Sequence, residues 1–91
     1  LRFTRTFAVL ALVEHRVEET IALADRVCRQ ESYNNPYSLK TLAAALAEAG
    51  LFEQAVTEAQ RALTFAAPMG DPALTRVLHE HLRHYREKEP I

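Results

Sequence analysis

The chain has 91 residues, of which 48% are hydrophobic and 25% charged, with only two glycines; this composition predicts one small folded domain and excludes a disordered tail. Eleven basic residues nearly balance twelve acidic ones, so the formal net charge is −1, and the chain lacks the global positive charge that attracts nucleic acid. No apolar run reaches the roughly 18 residues of a membrane span, so insertion into a membrane is not expected.

The first third of the chain, residues 1–33, shows two apolar stripes at helical spacing. His15-Arg16 separates them, and we expect a helical hairpin whose corner is made there without glycine. The first helix has hardly any polar side, so it should be covered by a missing upstream repeat or by a second copy of the chain. The first stripe contains Phe3, Phe7, Ala8 and Ala11, and the second contains Val17, Thr20, Ile21, Ala24, Val27 and Cys28.

Residues 34–68 predict a second hairpin. Asn35-Pro36 combines a good N-cap residue with a proline suited to the first helical turn, and Gly50 interrupts the helical pattern that follows. The apolar positions are Leu39, Leu42, Ala43, Leu46 and Ala49 before Gly50, and Phe52, Ala55, Val56, Ala59, Ala62 and Leu63 after it.

The last element, residues 71–88, begins at a similar cap, Asp71-Pro72, and predicts a closing helix. One face is apolar and the other is charged, as expected of a capping helix that no further repeat covers. About five helices result in total. The apolar face contains Leu74, Val77, Leu78, His81, Leu82 and Tyr85, and the charged face contains Arg76, Glu80, Arg83 and Glu87.

The chain also matches itself at an offset of 35 residues, which places Val17 on Phe52, Ile21 on Val56 and Ala24 on Ala59. Side-chain size and apolar character agree along this register although identity is sparse, which is typical of a repeated supersecondary unit.

The second hairpin resembles the tetratricopeptide repeat (TPR) signature through Leu42, Ala43, Leu46, Gly50, Phe52, Ala55, Ala59 and Ala62. The first hairpin departs further, with Thr20 and Val27 in place of small alanines and His15 in place of glycine. The resemblance implies an all-α domain of antiparallel helical hairpins, stacked as a right-handed α-solenoid, that binds other proteins. A chain beginning at Leu1 and closing on this kind of helix also resembles the C-terminal repeats of a longer bacterial protein.

In that family the first helix of each hairpin lines a concave face that receives a peptide or a partner protein. Carried onto this chain, the face would be basic and would suit an acidic or carboxylate-ended segment. The asparagines that repeats of this kind place beside lysines to hold a terminal carboxylate are absent. The alternative is that these are ordinary solvated charges. The residues are Arg2, Arg5, Tyr37, Lys40, Thr41, Ala44, Glu48, Arg76, His79 and Arg83, with Thr6, Val9 and Val13 in equivalent positions.

Other chemistry finds little support in the sequence. His79, His81 and His84 suggest a metal site, but Arg83 stands where the paired-histidine motif of zinc proteases needs its second ligand. Cys28 falls in the apolar register, so we expect a core residue and no nucleophile. We therefore expect no enzyme, no catalytic residue, no metal and no cofactor.

A second interpretation of the function is an oligomerisation, scaffold or regulatory segment of a larger, membrane-associated bacterial protein, with copies joined through the first helix. The lone cysteine leaves the compartment open, with the cytoplasm favoured over the periplasm.

Overall fold

The computed structural model describes the backbone of residues 2–90 and the side chains of residues 15–90. Four α-helices follow one another: α1 (Arg2–Gln30), α2 (Pro36–Glu48), α3 (Phe52–Ala66) and α4 (Pro72–Arg86), with a single 3-10 turn at Ala67–Met69 between the last two. The described residues contain no strand. The prediction of an all-helical fold is confirmed.

The largest difference from the sequence prediction concerns α1. The chain does not turn at His15-Arg16 but continues as one helix of 29 residues, so residues 1–33 do not form a hairpin, and the described residues contain four α-helices where about five were expected. No glycine or proline interrupts this stretch. His15 and Glu19 form an ion pair of 3.0 Å one turn apart, and the Thr20 hydroxyl donates to the Arg16 carbonyl at 2.8 Å. The contact between His15 and Glu19 favours continued helix across the predicted corner.

The turn between α1 and α2 is held by the Glu31 carboxylate. It accepts hydrogen bonds from the Ser38 hydroxyl and, at 2.6 Å, from the Asn35 side-chain amide. These two bonds lower the pKa of Glu31 below its ordinary value. Ser32 and Tyr33 adopt left-handed backbone conformations, with φ of 57° and 54°, so the chain reverses here without a glycine.

The predicted caps of the later helices are confirmed. The Asn35 side chain accepts from the Tyr37 backbone N–H, and the Asp71 side chain accepts from those of Ala73 and Leu74. Gly50 has φ of 79°, the left-handed conformation that ends a helix most easily when the residue has no Cβ. The corner between α2 and α3 therefore lies where the glycine predicts it.

Consecutive helices pack against each other, α1 on α2, α2 on α3 and α3 on α4. The molecule is elongated, with principal extents of 55 × 29 × 19 Å. Small side chains on α3 allow this close stacking, because an alanine face lets two neighbouring helices approach. Four alanines of α3 are completely buried, and the same core contains Leu39, Leu42, Ala43 and Leu46 of α2, Cys28 of α1 and Leu74, Leu78, Leu82 and Tyr85 of α4.

Candidate functional site

The predicted binding residues of α2 lie on one side of that helix. At 100° per residue they fall within about 100° of its circumference, opposite the buried Leu42 and Leu46. Three of them, Tyr37, Thr41 and Glu48, are exposed. Lys40 and Ala44 are only partly exposed, so three of the five side chains are fully available at the surface.

The predicted residues of α4 form a narrower stripe. Arg76, His79 and Arg83 are all exposed and fall within about 60° of the helix circumference, away from the buried Leu78 and Leu82. Arg76 and His79 also line a shallow depression at the start of α4, together with Asp71 and Thr75.

Contacts across the two helices connect these stripes near their N-termini. The Tyr37 hydroxyl donates to the Asp71 carboxylate at 3.2 Å, and this bond raises the pKa of Tyr37 above its ordinary value. Further along, burial lowers the pKa of His81, and the nearby Lys40 ammonium lowers it again.

At the C-terminal ends of the same helices, a charge on α2 acts on a side chain of α4. Burial raises the pKa of the Tyr85 hydroxyl, and the Glu48 carboxylate adds to this effect. We call the exposed surface made by the two stripes the α2–α4 face. Its residues are Tyr37, Lys40, Thr41, Ala44, Glu48, Arg76, His79 and Arg83.

The α2–α4 face carries three cations, Lys40, Arg76 and Arg83, and one carboxylate, Glu48. Further carboxylates border it: Asp71 lines the same depression as Arg76, and Glu80 and Glu87 lie one helical turn from Arg76 and Arg83. Among residues 15–90, none of the three cations is held in an ion pair; the ion pairs there join other residues. The three cations are therefore available to an incoming carboxylate, which Arg76 and Arg83 can bind in bidentate fashion.

Two of the predicted binding residues, Arg2 and Arg5, lie outside the residues whose side chains the structure describes. The same holds for Thr6, Val9 and Val13. The equivalence of these positions with Tyr37, Lys40 and Thr41 at an offset of 35 residues stays a prediction.

The histidines of α4 do not converge. His81 is partly buried, and its Nδ1 atom has no hydrogen-bond partner, whereas Nδ1 of His84 lies 3.3 Å from the Glu89 carboxylate at the end of the helix. Within the described residues, no group of three potential metal ligands comes together.

The predicted core position of Cys28 is confirmed, since its side chain is completely buried. Burial raises the pKa of the thiol, and the carboxylates of Glu58, Asp25 and Glu31 add to that effect. A thiol in such surroundings stays protonated. Its register partner Leu63 is only partly buried, so the two equivalent positions differ in burial.

One surface was missed by the sequence reasoning. A shallow groove, which we call the α1–α2 groove, lies between these helices, and its α1 side exposes two large apolar side chains, Leu23 (59% exposed) and Val27 (46% exposed). The sequence did contain a signal for this groove. Thr20, Ala24 and Val27 belong to the second apolar stripe, which was predicted to be covered by residues 2–14. The groove is lined by Thr20, Leu23, Ala24, Val27, Ser38 and Thr41.

No protein-family model, no curated protein and no solved structure matches this chain. The tetratricopeptide resemblance is therefore carried by the residue pattern alone. In the part of the chain that the structure describes, no helix combines the length and the apolar character needed to cross a bilayer.

Proposed function

We propose that this domain is a protein–protein interaction module of tetratricopeptide type and that the α2–α4 face is its concave binding surface. The observation that carries the proposal is the set of three cations on α2 and α4, none of them held in an ion pair among the described residues, with the exposed Tyr37 beside them. Helices of repeat proteins that stack in chain order present such surfaces to partners.

The helix packing supports the proposal. The Tyr37–Asp71 hydrogen bond joins α2 and the start of α4, and α3 packs against both helices. With α3 returning between them, α2 and α4 run in roughly the same direction. First helices of successive hairpins in a solenoid have this relation, and α4 would then be the first helix of the next unit.

The charges indicate the class of ligand. An acidic segment or a chain terminus would place carboxylates against Lys40, Arg76 and Arg83. The exposed ring of Tyr37 would supply apolar contact, as aromatic residues often do at interfaces. Glu48 at the far end would disfavour a ligand that is acidic along its whole length. We therefore propose a partner segment with its negative charge concentrated opposite the N-terminal half of α2.

The test is selection of peptides from a displayed library against the whole chain, at about 0.1 M and about 1 M salt, where the Debye length falls from about 10 Å to about 3 Å. We expect acidic or carboxylate-ended peptides to be enriched at low salt and lost at high salt. The Lys40→Glu/Arg76→Glu variant should lose the same peptides.

The matched control is Arg26→Glu/Lys88→Glu, which changes the net charge equally at two exposed positions outside the face and should retain the peptides. Peptides lost equally with both variants would indicate only a general charge effect. Peptides indifferent to both variants, or no enrichment at all, would contradict the α2–α4 face as a binding surface.

A further inference from the structure

The α1–α2 groove has the kind of lining that a docked helix would cover. Its floor comes from the C-terminal half of α1, where Thr20, Ala24 and Val27 lie one turn apart, and one wall comes from Ser38 and Thr41 of α2. Leu23 and Val27 expose about half of their side chains there. Apolar side chains exposed in one stripe next to a packed interface are typical of a surface that another helix covers.

The second hairpin shows what covers the equivalent stripe. At the offset of 35 residues, Thr20, Ala24 and Val27 correspond to Ala55, Ala59 and Ala62 of α3, all of which are completely buried. They lie in the core to which α2 and α4 also contribute, and both of these helices pack against α3. The helix corresponding to α2 at the same offset comprises residues 2–13, whose apolar positions Phe7 and Ala8 match the buried Leu42 and Ala43.

The same copy of the chain does not supply that helix in this structure. To lie on the groove, residues 2–14 would have to reverse direction at His15-Arg16, where the backbone is continuous helix. A helix of 29 residues is about 43 Å long, whereas α2, with 13 residues, is about 20 Å long. Because α2 packs on the C-terminal half of α1 through Cys28 and its neighbours, the N-terminal half of α1 extends beyond it.

We infer that the groove is filled by residues 2–14 of a second copy, in a symmetric dimer in which two α1 helices run antiparallel and exchange their N-terminal halves. In an antiparallel hairpin that turns at Gly50, the buried Leu46 and Leu42 would pair with the buried Ala55 and Ala59. The same register shifted by 35 residues places Ala11 of one copy opposite Thr20 of the other, and Phe7 opposite Ala24. The two-fold axis then passes near His15-Arg16. Straightening a corner into a continuous helix and exchanging the arm is a common route to dimers.

The size of the contact suits a weak, reversible pair. A helix of 13 residues covers a strip about 20 Å long and about 10 Å wide. Two such contacts, counted on both surfaces, involve on the order of 800 Å², which is below the roughly 1,000 Å² of a stable interface and in the range of weak, transient ones. The groove is also continuous with the packed α1–α2 interface, so a docked helix would extend an existing core. The groove and the α2–α4 face share Thr41, but this inference does not depend on peptide binding to that face.

Cysteine pairing identifies the occupant of the groove. In the Ala11→Cys/Thr20→Cys variant, mild oxidation should produce covalent dimers joined by two disulfides. Mixing the two single variants should produce dimers joined by one. The wild-type chain, whose only thiol is the buried Cys28, is the control and should remain uncrosslinked. A bridge formed within one chain would overturn the inference, because residues 2–14 would then fold back on their own groove.

Sedimentation equilibrium of the unmodified chain tests the same inference without a new bond. We expect a reversible dimer, and we expect Leu23→Lys/Val27→Lys to raise its Kd by about 100-fold or more, because a charged side chain in a desolvated contact typically costs over tenfold per site. The matched control is Leu51→Lys/Met69→Lys, at apolar residues of comparable exposure outside the groove (42% and 51% exposed), and it should leave the Kd unchanged. A wild-type chain that stays monomeric at high concentration, or a dimer equally sensitive to both pairs, would overturn the proposal. Circular dichroism confirms that each variant is folded.

Discussion

The close stacking of α2, α3 and α4 depends on the small side chains of α3, and Ala59→Leu tests this directly. Ala59 lies in the middle of α3 and is completely buried, so the helix cannot relieve a clash by fraying at its end. Leucine adds three heavy atoms to a core packed as densely as an organic crystal. We expect a loss of about 1–3 kcal/mol of unfolding free energy, which for a domain of this size lowers the melting temperature by about 4–8 °C per kcal/mol.

The measurement is thermal and urea unfolding followed by circular dichroism. The control is Gln60→Leu on the next residue, which is exposed and introduces the same leucine side chain without placing it in the core. We expect the control to stay within about 0.5 kcal/mol of the wild type. If Ala59→Leu were no more destabilising than Gln60→Leu, the helices would not be held together by alanine packing, and the argument for close stacking would fail.

Three further substitutions can be checked by the same unfolding measurements. Asp71→Ala removes the side chain that caps α4, and it should cost about 1 kcal/mol; Asp71→Asn, which can still accept the capping bonds, should restore most of the loss. Because hydrogen bonds from Ser38 and Asn35 lower the pKa of Glu31, its stabilising contribution is present above the ordinary pKa of about 4.3 and disappears as the pH falls through the lowered value. Glu31→Gln should therefore be destabilising at neutral pH, and its difference from the wild type should shrink in acid; an equal difference at both pH values would contradict this. Burial lowers the pKa of His81, so protonation favours the unfolded chain and stability should fall as the pH drops below about 6.5. His81→Leu should reduce that loss and raise the melting temperature, which a comparison of melting curves on both sides of that pH would show.

The elements predicted best were those with local chemical signals. Asn35-Pro36 and Asp71-Pro72 each combine a capping side chain with a proline, and Gly50 adopts the left-handed conformation that ends α2. These signals act within a few residues and need no knowledge of the rest of the chain. The apolar stripes of α2 and α4 were predictable for the same reason, because a period near 3.6 residues determines which positions share a face.

The predicted corner at His15-Arg16 was wrong because it was placed by analogy of register and had no local signal of its own. Charged residues with good helix propensity occupy that stretch, and pairs such as His15 and Glu19 stabilise the helical conformation. The α1–α2 groove went unnoticed as a consequence, since its apolar residues were assigned to an intramolecular hairpin.

The sequence by itself determined the helical class, the ends of α2 and α4 and the residues on each helix face, since all of these follow from backbone chemistry and periodicity over short stretches. Only the tertiary structure decided that α1 is continuous, that Tyr37 meets Asp71 across two helices, and that Leu23 and Val27 are uncovered. Those features depend on which helix packs against which, and that choice is set by the free energy of the whole core, to which residues distant in the chain contribute as much as neighbours do.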